Sequence, residues 1–222
     1  MKAIILAAGR GERLRPHTDH TPKPLLVAGG KRLIEYHLTA LAVAGITDIV
    51  INLAHLGTQI EAFIGDGARY GTSVQYSREG DTGLETGGGI FNALPLLGPG
   101  PFVVVNGDIW TDYPFRQLPE LQNDLAWLVL TDNPLHHPAG DFALRNGRVV
   151  NDLDNRLTYT GIGIYRAELF AGCRPERFPL APLLRKAADQ NLLGGEHYHG
   201  EWFDIGTPQR LAALNEKLST TT

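Results

Sequence analysis

Four apolar runs constrain the fold before any motif is read. Lys2–Leu6, Asp48–Leu53, Phe102–Val105 and Leu125–Thr131 show no regular alternation of apolar and polar residues. A strand wetted on one face alternates; a strand covered on both does not. Ser73–Ser77 reads as a further strand, and helical patterns separate the runs. Leu33–Ala44 places Leu33, Ile34, His37, Leu38 and Leu41 at helical spacing with Gly45 as C-cap. Leu56–Ile64 is a short amphipathic helix closed by Gly65-Asp66-Gly67, and Ile90–Leu97 is helical after a glycine-rich turn. Buried strands alternating with helices predict an α/β, doubly wound, mostly parallel sheet whose ligands sit at the carboxyl ends of the strands.

The second half changes rhythm. Phe142–Arg145 and Arg148–Val150 flank Asn146-Gly147, a two-residue hairpin signal. Thr158–Tyr165 reads as a strand, Leu180–Gln190 as a helix introduced by prolines, and Thr207–Lys217 as a closing helix before a frayed Ser219–Thr222 tail. The expectation is a single domain over residues 1–222. Its first half, 1–132, carries the nucleotide end; 133–222 is a β-rich elaboration of the same sheet.

Composition narrows the function classes. A formal net charge of −4 lacks the basic excess of a general nucleic-acid binder. A single cysteine, Cys173, excludes an internal disulfide and any multi-cysteine zinc site. No run approaches the ~20 apolar residues of a membrane-spanning helix, and the apolar start gives way to glycine and charge too early for a signal peptide. A cytoplasmic protein that binds neither nucleic acid nor membrane is expected.

The chemistry is concentrated in Leu6–Pro24. Ala7, Ala8, Gly9 and Gly11 leave the backbone bare, and Arg13, Arg15 and Lys23 follow. Bare amides can approach an anion and the cations neutralise it, so this loop suits phosphates. A Walker A loop would end in Gly-Lys-Ser/Thr, and Glu12-Arg13 stands there instead. A dinucleotide loop needs a third glycine where Leu14 lies, and an acidic residue after the second strand where Asn52 lies.

What remains is G-x-G-x-R with P-K-P around Lys23, ten residues beyond Arg13. Leu6, Ala7, Ala8, Gly9, Gly11, Arg13, Leu14, Pro16, Thr18, Pro22, Lys23 and Pro24 fill a pattern that strongly resembles the signature of the sugar-phosphate nucleotidyltransferases. The resemblance implies a Rossmann-like fold and transfer of a nucleotidyl group from a nucleoside triphosphate to a sugar 1-phosphate, with release of pyrophosphate. It implies catalytic roles for Arg13 and Lys23 on the phosphates, with the amides of Ala8, Gly9, Gly11 and Glu12 cradling the nucleotide. Asp108 and Asp204 are implied ligands of Mg²⁺, which takes one or two carboxylates plus substrate phosphates. Nucleotide choice falls to Glu79 and the segment Gly83–Gly89, including Glu85 and Gly88; a carboxylate suits a base N–H, which uracil and guanine both have.

Relatives carry glycine where this chain has Glu85. That departure, with V-N-G-D-I-W-T-D-Y and the segment Asn133–Phe142, resembles the branch acting on N-acetylmuramate 1-phosphate with UTP, which serves peptidoglycan recycling. On that resemblance Asn106, Gly140, Asp141 and Asp152 face the sugar phosphate. Mannose 1-phosphate with GTP, glucose 1-phosphate with UTP or dTTP, and a non-catalytic nucleotide-sugar binder remain alternatives. His136-His137 reads as a solvated loop, and Trp110 and Tyr113 as core or pocket wall. The length leaves no room for the β-helix some relatives append, and a monomer is expected.

Overall fold

The structure, a computed structural model, describes residues 1–80 and 82–220. β1 (Lys2–Leu6) leads into a small hairpin, β2 (Val27–Ala28) and β3 (Lys31–Arg32). Then come α1 (Leu33–Val43), β4 (Asp48–Leu53), α2 (Gly57–Ile64), β5 (Ser73–Arg78), α3 (Glu85–Leu97) and β6 (Phe102–Asn106). The remaining strands are β7 (Ile109–Thr111), β8 (Ala126–Thr131), β9 (Phe142–Arg145), β10 (Arg148–Val150), β11 (Arg156–Tyr165), β12 (Leu193–His197) and β13 (Trp202–Asp204). α4 (Ala181–Asp189) precedes β12, and α5 (Pro208–Thr220) closes the described chain.

One sheet holds nine strands in the order β5-β4-β1-β6-β11-β8-β12-β10-β9. β5, β4, β1 and β6 are parallel. Beyond them the sheet is mixed: β11 runs antiparallel to β6 and β8, β12 is parallel to β8, and the hairpin β9–β10 lies antiparallel at the edge. The parallel character read from the sequence therefore belongs chiefly to the first half of the chain.

The unpatterned strands are buried on both faces. Ala3, Ile5, Val103 and Val105 face α1 and α2 through Ile34, Leu38 and Ile60. Ile4, Phe102 and Val104 face α3 and α4 through Ile90, Ala93 and Leu184. Burying each such large side chain contributes roughly 1.5–3 kcal/mol. A small third cluster, with Leu14, Leu33, Trp110, Ile205 and Leu214, ties the loop after β1 to α5. The Asn146-Gly147 hairpin forms as expected, with both residues at positive φ (50° and 75°), as a type I′ turn requires.

Two local expectations are corrected, and the structure adds strands that the sequence did not mark. The glycine-rich turn before Ile90 is helical from Glu85 onward. Its glycines serve packing: a Cβ on Gly87 would lie 2.5 Å from the Phe178 ring, and one on Gly88 2.5 Å from the Glu176 carbonyl. β12, which no sequence pattern marked, is masked by Gly194 and Gly195, whose faces are taken by Trp127 and Val149. β7 and β13, three residues each, pair with one another outside the main sheet. The tail expected to fray from Ser219 is helical through Thr220, and Thr221 and Thr222 lie outside the described residues.

Candidate active site

A cavity of about 650 Å³ opens where the carboxyl ends of β1, β4 and β6 meet. It is lined by the loop Leu6–Leu14, by Lys23, Asn52, Glu79 and Asn106 to Asp108, and by the start of α3 with Arg177. Such a crevice outside the strand ends is where α/β sheets bind ligands.

The loop is held from below. Leu14 is fully buried and acts as its plug. Gly11 adopts φ 64°, and a Cβ there would come within 2.9 Å of the Thr18 side chain. Thr18 Oγ1 donates to the Gly11 carbonyl at 2.7 Å, which also accepts from the Leu14 amide. Arg13 stands exposed on this loop at the cavity wall, and among the described residues no carboxylate pairs with it. Arg15 lies off the cavity, paired with Asp19 at 3.3 Å.

A hydrogen-bonded chain crosses the cavity floor. Asn52 Oδ1 accepts from the Ala7 amide at 2.6 Å, and its Nδ2 donates to Glu79 Oε1 at 2.6 Å. Glu79 Oε2 accepts the Leu84 amide at 2.7 Å. Burial pushes the Glu79 carboxyl above its ordinary range, opposed by these two hydrogen bonds. Gly89 is forced by the same network, since a Cβ would lie 2.4 Å from Glu79 Oε1. Asn52, noticed in the sequence for the acid it replaces, thus joins β1 to the start of α3.

Glu85, at the head of α3, adopts φ 59°, a left-handed conformation that glycine tolerates without strain. A glycine, the residue the family resemblance implies at this position, would adopt it at no cost. Its carboxylate pairs with Arg177 at 3.0 Å. The Phe178 amide and carbonyl bond to the Leu84 carbonyl and Gly88 amide. Arg177, which no sequence motif marked, is carried to the cavity by this clamp.

On the opposite wall, Lys23 is buried between Pro22 and Pro24 and donates to Asp108 Oδ2 at 2.6 Å. Gly107 lets β6 turn hard against β1, its amide bonding the Leu6 carbonyl. Asn106 packs over Gly161 (φ 82°), at a register shift in β11. Asp204 pairs across β13–β7 with Ile109, and the Ile205 amide donates to the Asp108 carbonyl at 2.9 Å. Its carboxylate is held by Arg210 at 2.5 Å and His136 at 3.2 Å. Behind Asp108, His37 is fully buried on α1, its pKa lowered to about 4 by burial, while a hydrogen bond to the Ile109 backbone acts in the opposite direction.

The cavity thus gathers Ala8, Gly9, Gly11, Glu12, Arg13, Lys23, Glu79, Glu85, Asn106 and Asp108. Gly88, Gly140, Asp141, Asp152 and Asp204 are not among its lining residues. Gly88 is spent on packing, as above. Asp141 clamps the preceding loop to β11, accepting from the Tyr159 amide at 2.8 Å with His137 at 3.2 Å. Gly140 (φ 60°) fits against Asn133 and Arg156. Asp152 caps an exposed turn through the Asp154 amide and pairs with Arg145, and both hold its pKa below the ordinary value. His136 and His137 diverge toward different carboxylates.

An arginine-bearing glycine loop, a proline-flanked lysine and Asp108 around one cavity mark a phosphate-handling α/β enzyme. Residues 2–138 match the nucleotidyl transferase family, and the chain belongs to it. It is 51% identical over 222 residues, 95% of both chains, to the N-acetylmuramate alpha-1-phosphate uridylyltransferase of Neisseria meningitidis serogroup B. It is 33% identical to the Caulobacter vibrioides protein of the same name, over 98% of this chain and 96% of that one. Among solved structures, a Bacillus anthracis protein assigned as a glucose-1-phosphate thymidylyltransferase superposes with a TM-score of 0.87 at 25% identity, covering 99% of this chain and 95% of that one.

Proposed function

We propose that this chain transfers the uridylyl group of UTP to N-acetyl-α-muramate 1-phosphate, giving UDP-N-acetylmuramate and pyrophosphate. The observation that carries the reading is the 51% identity along 95% of both chains to a uridylyltransferase of that name. It is supported by a cavity whose lining carries Arg13 and Lys23.

A phosphate oxygen of the sugar 1-phosphate attacks the α-phosphorus of UTP. A P–O bond forms, and the bond to the β-phosphate breaks, with its electron pair leaving on pyrophosphate. A phosphate monoester is already an anionic nucleophile, so no residue is needed as base. The protein's work is positioning and charge neutralisation. Arg13 offers a planar fork of donors to the triphosphate, and Lys23 a compact ammonium from the other wall. The amides of Ala8, Gly9, Gly11 and Glu12 receive phosphate oxygens. Glu79, both oxygens already engaged, keeps lone pairs for the N–H of uracil and fixes the wall against which the base lies.

Family members use a divalent cation. Asp108 and Asp204 suit Mg²⁺: they are hard oxygen donors on hydrogen-bonded neighbouring segments, each at present satisfied by a cation, Lys23 or Arg210. Bound there, Mg²⁺ supplies positive charge to the triphosphate and the leaving pyrophosphate. Asn106 and the loop before Asp141 face the sugar side, with Asp141 and Gly140 shaping that loop. Incubation with UTP, N-acetylmuramate 1-phosphate and Mg²⁺ should give UDP-N-acetylmuramate by mass spectrometry with one pyrophosphate per product. Pyrophosphate release without that product contradicts the reading.

A further inference from the structure

Away from the cavity, at the same edge of the sheet, Asp132, His197 and His199 converge. Asp132 follows the last residue of β8, and His197 ends β12, its parallel neighbour. The register pairs His197 with Leu130, and the Tyr198 amide donates to the Leu130 carbonyl at 2.7 Å, so the pairing runs on past the strand ends. Residues two apart on a strand share a face. His197 and His199 therefore project to one side, and Asp132, two residues beyond Leu130, projects with them.

The contacts bear this out. His197 Nε2 lies 2.9 Å from Asp132 Oδ1, and the two imidazoles have centroids 3.9 Å apart. One donor atom from each of the three residues falls within 4.8 Å of the others. In a closed site with bonds of ~2.0–2.2 Å, neighbouring donors lie about 3.5 Å apart, a gap that side-chain rotation closes.

We propose that Asp132, His197 and His199 form a metal site distinct from the acidic pair, for a late first-row divalent cation such as Zn²⁺. Two imidazoles with one carboxylate select such ions over Mg²⁺, which prefers oxygen. Three protein ligands leave one position for water or an exogenous anion. The metal pins the start of the connection from β12 to β13. Tyr198 donates to Asp112 at 2.5 Å, and the Glu201 amide reaches the same carboxylate at 2.7 Å. The segment then enters β13, which ends at Asp204. The site is thus a brace on the strand that carries Asp204.

The test is Zn²⁺ titration of the whole chain by calorimetry, without nucleotide and with excess Mg²⁺ to occupy oxygen-only sites. One Zn²⁺ per chain is expected. His197→Ala and His199→Ala each weaken it at least ~10–100-fold, the range lost even when an outer partner of a metal ligand is removed. Asp108→Asn leaves the affinity unchanged. Co²⁺ gives a low-coordinate ligand-field spectrum that disappears in both histidine variants. Parental metal-free melting temperatures in the variants show that they fold. Parental Zn²⁺ affinity in either histidine variant, or loss of binding in Asp108→Asn, overturns the proposal.

Discussion

Lys23 and Asp108, 85 positions apart, meet on one wall of the cavity at 2.6 Å, the ammonium nearly buried and the carboxylate 41% exposed. The lysine assigned to the phosphates therefore neutralises the carboxylate assigned to the metal. Substrate and cation together must replace one contact with two. That exchange gives the pair its distinct mutational signature.

Lys23→Met removes the cation proposed to serve the reacting phosphates. A fall in kcat/KM of about 10²–10³ is expected, by analogy with removal of one preorganised donor. The Asp108 carboxylate left behind reaches water, so the melting temperature stays near the parent's. Steady-state kinetics beside a thermal melt checks both; a large loss of stability with little loss of rate makes the lysine structural.

Asp108→Asn keeps the shape of the side chain and removes its charge. Turnover should drop by orders of magnitude in a folded protein, with the Mg²⁺ concentration for half-maximal rate raised. Unchanged activity removes Asp108 from the metal site.

Glu85 separates strain from charge. At φ 59° a non-glycine residue costs roughly 1–2 kcal/mol, and its exposed pair with Arg177 returns little. Glu85→Gly should be at least as stable as the parent in urea, and Glu85→Ala less stable by about 0.5–1 kcal/mol. A Gly variant less stable than Ala contradicts the backbone argument.

Gly89→Ala drives a methyl into Glu79 Oε1. Overpacking of this kind costs about 1–3 kcal/mol. Because Glu79 and Asn52 hold the start of α3, KM for UTP should rise too, which kinetics at fixed sugar phosphate can detect.

His37 sets an acid limit. Its folded pKa, about 4, lies below the ordinary 6.5. The unfolded chain takes up a proton first as pH falls, so the stability held above 6.5 is lost progressively toward 4, roughly 3 kcal/mol in all. His37→Leu should flatten the denaturation midpoint across that window; an unchanged slope assigns the loss to other groups.

The parts legible in the sequence were those written in local pattern. Lys2–Leu6 and Phe102–Val105 declared burial on both faces, and Asn146-Gly147 declared its turn. Arg13 and Lys23 declared a phosphate loop, and the cavity gathers them. What stayed hidden depends on distant partners. β12 looks too glycine-rich for a strand until Trp127 and Val149 are seen against it. Arg177 reaches the cavity because Phe178 bonds Leu84 and Gly88, a pairing no spacing encodes. The glycines of α3 read as a turn, since nothing in the local sequence says that Phe178 and Glu79 press on that helix.

The choice of nucleotide and sugar defines what this protein makes. The direct measurement is kcat/KM by pyrophosphate release for UTP with N-acetylmuramate 1-phosphate against GTP with mannose 1-phosphate, UTP with glucose 1-phosphate and dTTP with glucose 1-phosphate. The muramate pair should exceed every other by at least ~10²-fold, as a site built around a substrate's polar groups allows. A faster reaction of GTP with mannose 1-phosphate contradicts it.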